Sequence, residues 1–135
     1  MDQEEFIRKF RILFVDDSIV DRTYVDKILT KNGFEVILAE DGDSGIAAAQ
    51  KEIPDLILLD ILLPHISGIE VCKKIKEDKS IQHIPIVFFT NVDAPRSFFN
   101  FQSYGAVDFI PKSISPVDLV MKIKLALRRN PHLSL

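Results

Sequence analysis

The most informative segment of this chain is Ile12-Leu13-Phe14-Val15-Asp16-Asp17-Ser18, an apolar run that ends in two carboxylates and a hydroxyl. The apolar part has the length of a strand and no polar position, which is typical of a strand covered on both faces of a sheet. Two later runs, Leu56 to Leu59 and Ile86 to Phe89, have the same uninterrupted apolar character. This pattern favours a parallel sheet with helices on both faces.

Further strands and helices alternate along the rest of the sequence. Val36 to Ala39 and Val107 to Ile110 add two strands. Ser115, followed by Pro116 and by Asp118 three residues after the serine, predicts the start of a last helix. Five strand and helix units with connections too long for hairpins predict a doubly wound α/β sandwich around a five-stranded parallel sheet. The predicted helices are Ser18 to Asn32, Asp43 to Lys51, Ile69 to Glu77, Pro95 to Tyr104 and Leu119 to Arg129.

Composition places the chain among ordinary globular proteins, with 47% hydrophobic and 27% charged residues in 135. Its net charge of −3 argues against direct binding to nucleic acid or anionic lipid. The single cysteine, Cys72, favours a reducing compartment, and no apolar run approaches the roughly 20 residues that insert into a membrane. We therefore expect one cytoplasmic domain over residues 1–135, with a core of about residues 11–129, a short N-terminal extension and a C-terminal tail.

Polar residues follow the predicted strands at the points where the strands end. Asp16 and Asp17 come directly after the first strand and Asp60 after the third, whereas Thr90 ends the fourth and Lys112 follows the fifth. Doubly wound sheets bind ligands outside the carboxyl ends of their strands. Each residue alone has a simpler interpretation, as a helix cap, a turn or a solvated loop residue. Together they predict three carboxylates, a hydroxyl and an ammonium at one edge of the sheet.

The predicted cluster of acids indicates metal and phosphoryl chemistry. Two carboxylates about 4 Å apart repel by roughly 4 kcal/mol at an effective dielectric constant of 20, so a cation is needed to hold three together. Mg²⁺ prefers such an all-oxygen site. One carboxylate can also attack phosphorus and form an aspartyl phosphate, with Lys112 neutralising charge and Thr90 donating a hydrogen bond.

Four blocks of the sequence carry a shared pattern: Phe14 to Ser18, Leu58 to Gly68, Phe88 to Thr90 and Gly105 to Lys112. Together they resemble the receiver domain of two-component response regulators. They occur in the family's order and at its usual separations, within about Arg11 to Arg129. The resemblance implies a flavodoxin-like sheet of order 2-1-3-4-5, a Mg²⁺ cofactor, and phosphoryl transfer from a histidine kinase or a histidine phosphotransfer protein.

The resemblance also implies a role for each residue of the cluster. Asp60 would accept the phosphoryl group, and Lys112 would form an ion pair with it. Asp17 would coordinate Mg²⁺ directly and Asp16 largely through water. Asp60 and the backbone carbonyl of Leu62 would complete the ligands.

A switch and an output surface follow from the same resemblance. Thr90 would move towards the phosphoryl group and allow Phe109, which stands where the family more often has Tyr, to turn inward. This change would alter the surface formed by the fourth helix, fifth strand and fifth helix, which would bind a downstream protein or a second copy of the chain. Four aromatic rings of the predicted fourth helix exceed its narrow buried stripe, so we expect Phe98 to be exposed on that surface.

The chain departs from the family pattern at several positions. Ser113 follows Lys112 where the family usually has Pro, and because a cis bond before Ser would cost about 3 kcal/mol, the geometry of that bond is left open. Asn91, which follows Thr90, is bulkier than the small residue that the family commonly has at that position. Leu62 and Val92, two positions beyond Asp60 and Thr90, are apolar and cannot orient an attacking water. We therefore expect slow loss of phosphate.

Two other classes of protein share this architecture. A Mg²⁺-dependent phosphatase with an aspartyl nucleophile would carry a second Asp two residues after the nucleophile in the first strand's loop, which Asp16-Asp17-Ser18-Ile19 lacks. A flavodoxin-like cofactor carrier would need a Gly-rich and hydroxyl-rich phosphate loop, which Ser18 to Arg22 does not provide. The leading hypothesis is a stand-alone signalling module that catalyses only its own phosphorylation and dephosphorylation; the phosphatase remains the alternative.

Overall fold

The computed structural model describes residues 8–92 and 100–133, whose strands form one five-stranded sheet. Every pair of neighbouring strands is parallel, in the order β2-β1-β3-β4-β5. This topology confirms the predicted doubly wound α/β fold. The strands are β1 (Arg11–Val15), β2 (Glu35–Ala39), β3 (Leu56–Leu59), β4 (Ile86–Thr90) and β5 (Asp108–Pro111).

The position of each strand in the sheet explains its sequence. The three uninterrupted apolar runs form the central strands β1, β3 and β4, where nearly every residue is buried. The outer strands β2 and β5 keep exposed or half-buried positions. A central strand of a parallel sheet needs apolar side chains on both faces because helices cover both.

Four described α-helices cover the two faces of the sheet. Ala49 of α2 and Ile75 of α3 pack into the core on one face. Leu29 of α1 and Ile123 of α4 pack into the core on the other. Among the described residues, no helix has the length and apolar character needed to cross a membrane. The helices are α1 (Ile19–Lys31), α2 (Gly42–Glu52), α3 (Gly68–Glu77) and α4 (Pro116–Leu127).

Side-chain caps fix where these helices begin. Ser18, Asp41, Ser67 and Ser115 each accept a hydrogen bond from the backbone amide three residues later. Such caps satisfy amides that have no partner inside the helix. Two of the caps, Ser18 and Ser67, lie in the loops that follow β1 and β3, so they set how α1 and α3 leave the carboxyl edge of the sheet.

The predicted fourth helix, Pro95 to Tyr104, lies largely outside the described residues, and Phe98 with it. Its described end is a short 3₁₀ helix over Phe101–Tyr104. Gly105 ends this turn with a φ of +94°, a conformation that favours glycine. The last helix also differs slightly from its prediction, because it ends at Leu127 and not at Arg129.

Candidate functional site

Backbone hydrogen bonds join the ends of neighbouring strands at one edge of the sheet, and all five strands take part. The amide of Asp60 donates to the carbonyl of Val15, 3.0 Å away, which places the residue after β3 beside the residue after β1. The amide of Lys112 donates to the carbonyl of Thr90 at 3.1 Å. The amide of Asp16 donates to the carbonyl of Ala39 at 3.0 Å. Sheet register therefore fixes the relative positions of these site residues.

Three carboxylates meet at this edge. One oxygen from each of Asp16, Asp17 and Asp60 lies within 4.8 Å of the others. Asp16 and Asp60 are buried, with relative exposures of 0% and 4%, whereas Asp17 is exposed. The backbone amide of Ser18 donates to Oδ1 of Asp16 at 2.8 Å, and that of Leu62 donates to Oδ1 of Asp60 at 3.2 Å. The other carboxylate oxygens of the two buried acids are thereby directed towards the cluster.

Lys112 reaches into this cluster from the loop after β5. Its Nζ lies 2.6 Å from Oδ2 of Asp16, 2.6 Å from Oδ2 of Asp21 and 2.9 Å from Oδ2 of Asp60. Burial by itself would lower the pKa of Lys112, but the three carboxylates more than offset that effect and raise it above the ordinary value. The lysine is therefore a permanent cation at neutral pH.

The surroundings of Asp16 disfavour its charged form. Burial raises its pKa, and the ion pair with Lys112 and the amide of Ser18 oppose that rise only in part. Within the described residues, Oδ2 of Asp16 accepts no well-aligned hydrogen bond, although Nζ of Lys112 is close. A buried carboxylate oxygen that lacks an aligned hydrogen-bond donor is stabilised by additional positive charge.

The acids fit a Mg²⁺ ion. Mg²⁺ is bound in proteins through carboxylate oxygens and keeps several of its waters. Asp16 and Asp60 supply buried carboxylates, one of which has an oxygen without an aligned donor, and Asp17 is exposed on the side open to solvent. The donor set contains no nitrogen or sulfur ligand, which argues against zinc.

Gly68 allows the loop after β3 to fold back closely onto the backbone of Asp60. A Cβ atom at this position would lie 2.0 Å from the backbone carbonyl oxygen of Asp60. The amide of Gly68 donates to the carbonyl of Ile61 at 2.9 Å. A side chain at this position would therefore push directly on the backbone that carries Asp60.

Thr90 and Phe109, the predicted switch pair, lie on neighbouring strands. Thr90 is fully buried at the end of β4, and its Oγ1 accepts a hydrogen bond from the amide of Val92 at 3.3 Å. Phe109 on β5 is in register with Phe88 on β4. Its side chain is already inside the protein, with 5% exposure, in the same core cluster as Phe88.

Sequence patterns missed two residues in the first turn of α1. Asp21 contacts Lys112, and Nη1 of Arg22 donates to the backbone carbonyl of Asp16 at 2.6 Å. The available signal was the capping serine, Ser18, because a helix that starts directly after β1 places its first turn at the same edge of the sheet as the acids.

The family of the chain follows from its match to known proteins. A family model described as the response regulator receiver domain matches residues 12–124, from β1 into α4. The chain is a response regulator receiver domain. Its strand order and its acidic cluster agree with this assignment, and the phosphatase alternative is not favoured.

Individual relatives support the same assignment of this receiver. It is 36% identical over 118 residues to the response regulator PleD of Caulobacter vibrioides, a match that covers 87% of this chain and 26% of that protein. It is 40% identical over 119 residues to the phosphate regulon transcriptional regulatory protein PhoB of Escherichia coli, covering 88% of this chain and 52% of PhoB. The receiver thus spans between a quarter and about half of the length of these curated relatives.

A solved structure shows the same fold. The receiver is similar to a CheY-like response regulator receiver domain from Methanospirillum hungatei JF-1, with a TM-score of 0.82 and 29% sequence identity. That match covers 91% of this chain and 97% of the other. The fold of this receiver is therefore that of a CheY-like domain.

Proposed function

We propose that Asp60 is the phospho-accepting residue of this receiver and that the donor is a histidine kinase or a histidine phosphotransfer protein. The observation that carries the proposal is that Asp60 belongs to the acidic cluster and also forms an ion pair with Lys112. Asp16 forms an ion pair with Lys112 but is fully buried. Asp17 is exposed, and the described contacts include no ion pair between it and Lys112. Asp60 has both a slight solvent exposure and the ion pair.

The proposed step is an in-line transfer. A carboxylate oxygen of Asp60 attacks phosphorus and forms an O–P bond, while the N–P bond of the phosphohistidine breaks and its electron pair stays on the imidazole nitrogen. Lys112 neutralises negative charge on the transferring group, and the hydroxyl of Thr90 donates to one of its oxygens. Electrostatic positioning of this kind supplies most of the catalysis in phosphoryl transfer.

Mg²⁺ is the proposed cofactor, held by Asp16, Asp17, Asp60 and the backbone carbonyl of Leu62. When bound, it supplies positive charge to the acids and to the phosphoryl oxygens. The chain's own contribution is to hold Asp16 and Asp60 in fixed orientations through the amides of Ser18 and Leu62. We propose a cytoplasmic signalling module that catalyses only its own phosphorylation and the later loss of that group.

The proposed output lies on β5 and α4. Val117, Met121 and Leu125 on α4 are four residues apart and exposed, so they form an apolar stripe on one face of that helix. We propose that phosphorylation strengthens binding of this face to a downstream protein or to a second copy of the chain. Size-exclusion chromatography with light scattering, with and without beryllofluoride, tests for the second copy.

Intact mass measurement after incubation with Mg²⁺ and acetyl phosphate tests the central proposal. We expect one labile phosphoryl group on the wild-type chain and none on Asp60→Asn. Asp118→Asn, which removes an exposed carboxylate from the first turn of α4, is the matched control and should be phosphorylated normally. Repeated turnover of acetyl phosphate without a modified protein would favour the phosphatase alternative.

A further inference from the structure

Asp21 is an acid that contacts the site without belonging to the candidate metal ligands. Its Oδ2 lies 2.6 Å from Nζ of Lys112. Among the described residues, the group of acids close enough to share a cation contains Asp16, Asp17 and Asp60 but not Asp21. The carboxylate of Asp21 is therefore a partner of the lysine and not of the metal position.

The cap of α1 holds Asp21 in place. Its backbone amide donates to Oγ of Ser18 at 3.2 Å, and the amide of Ser18 donates to Oδ1 of Asp16. Arg22, the next residue, donates to the carbonyl of Asp16. The first turn of α1 is thus tied to Asp16 by two hydrogen bonds, which fixes the direction from which Asp21 reaches Lys112.

The ammonium of Lys112 donates hydrogen bonds to Asp21 and Asp60 and lies in ion-pair contact with Asp16. A lysine ammonium has three N–H donors, and three carboxylate oxygens, from Asp16, Asp21 and Asp60, lie within 2.9 Å of Nζ. A cation that binds Asp16 and Asp60 competes with Nζ for those two acids. A phosphoryl oxygen on Asp60 must in turn compete with these carboxylates for Nζ.

We propose that Asp21 is a positioning residue for Lys112 that favours metal binding and opposes the contact between the lysine and the phosphoryl group. This inference rests on the proposed function of Asp60. With Asp21 present, the lysine has a carboxylate partner that the metal does not need. Without Asp21, the lysine pairs with Asp16 and Asp60 alone and competes more strongly with Mg²⁺ for them. The site also loses one negative charge. Both effects weaken Mg²⁺ binding. Once the metal and a phosphoryl group are in place, loss of Asp21 has the opposite effect, because it frees an N–H donor for the phosphoryl oxygen.

Binding measurements on Asp21→Asn separate these two effects. Isothermal titration with Mg²⁺ alone should show affinity weakened by roughly three- to tenfold, the order expected for loss of one unit charge near a partly exposed site. Titration with beryllofluoride at saturating Mg²⁺ should show affinity strengthened by a similar factor. Asp26→Asn is the matched control, since Asp26 lies on the same helix and its side chain contacts Thr30, and it should change neither affinity.

The opposite signs distinguish positioning from structural damage. Unchanged affinities in Asp21→Asn, or a loss of both affinities together with a lower melting temperature, would overturn the inference. Asp21→Glu retains the charge and should restore Mg²⁺ affinity in large part. A wild-type chain that binds Mg²⁺ but no beryllofluoride would refute the proposed role of Asp60, while the Mg²⁺ titration would still decide the role of Asp21.

A lysine-free background tests whether Asp21 acts through Lys112. In Lys112→Met, adding Asp21→Asn should give little of the gain in beryllofluoride affinity that it gives in the wild-type chain. A gain of the same size in both backgrounds would show that Asp21 acts by direct repulsion alone and would contradict the positioning role.

Discussion

The ammonium of Lys112 lies 2.9 Å from Oδ2 of Asp60, although 52 residues of sequence separate them. The pair joins the end of the outermost strand, β5, to the end of the middle strand, β3. Any change of charge on Asp60 therefore acts directly on the loop that connects β5 to α4. This connection gives the proposed phosphorylation a physical path to the exposed apolar stripe of α4.

Replacing Lys112 tests the electrostatic account of the site. Lys112→Met leaves the buried carboxylates of Asp16 and Asp60 without their cation, so we expect it to destabilise the protein by about 3 kcal/mol. Added Mg²⁺ should then raise the melting temperature more in this variant than in the wild type. Lys122→Met, which removes a half-buried lysine of α4 that pairs with Asp108, is the control. An equal response to Mg²⁺ in all three proteins would contradict the account.

Gly68 is expected to be essential for the geometry around Asp60. Gly68→Ala places a methyl group against the backbone carbonyl of Asp60 and should cost about 1–3 kcal/mol as well as lowering phosphorylation. Gly33→Ala is the comparison, because Gly33 has a φ of +88° and open space around it. That variant should cost about 1 kcal/mol but leave phosphorylation intact. Chemical denaturation and intact mass measure the two effects; normal phosphorylation of Gly68→Ala would be inconsistent with this role.

We expect the lifetime of the phosphorylated form to depend on the residue two positions after Asp60. Leu62 has a side chain that is 60% exposed and has no polar group to orient an attacking water. Leu62→Asn should shorten the lifetime by roughly ten- to a hundredfold, while Leu62→Met should not. Loss of the phosphoryl mass over time measures both rates. Rapid loss from the wild-type chain in the presence of Mg²⁺ would rule out this explanation.

Two histidines far from the site give a prediction for the pH dependence of stability. The rings of His83 and His132 are stacked with centroids 3.8 Å apart. Burial, with smaller contributions from His132 and Lys76, lowers the pKa of His83. The unfolded chain therefore binds a proton at higher pH than the folded chain, and the free energy of unfolding should fall as pH decreases below about 6.5.

A histidine variant isolates that contribution from those of the carboxylates. The difference in unfolding free energy between the wild type and His83→Gln should change between pH 7.5 and 5.5, with the wild type losing more stability. Urea denaturation at several pH values measures it. Parallel pH curves for the two proteins would show that His83 does not contribute.

The sheet and most of the site were predictable because they depend on local pattern and on one general rule. Uninterrupted apolar runs identified β1, β3 and β4, and the convergence of strand ends at one edge brought Asp16, Asp60 and Lys112 together. Parallel pairing makes that convergence independent of loop details. Both the fold and the acidic cluster can therefore be predicted from the sequence alone.

Other features depend on arrangements that no local pattern shows. The contact between Asp21 and Lys112 joins residues 91 positions apart and depends on how the first turn of α1 is rotated about its cap. Pro95 suits the first turn of the helix predicted before β5, but the described end of that segment is a 3₁₀ turn that Gly105 terminates. The sequence does not decide the geometry of the peptide bond between Lys112 and Ser113, which is trans.

Mapping the phosphorylated residue tests the central claim most directly. Borohydride reduces an aspartyl phosphate to homoserine, and tandem mass spectrometry of the digested protein then identifies the modified position. After treatment with Mg²⁺ and a phosphorylated histidine donor, we predict homoserine at position 60 only. Homoserine at position 16, 17 or 21, or phosphate on a histidine or serine with none on Asp60, would contradict the assignment of Asp60 as the acceptor.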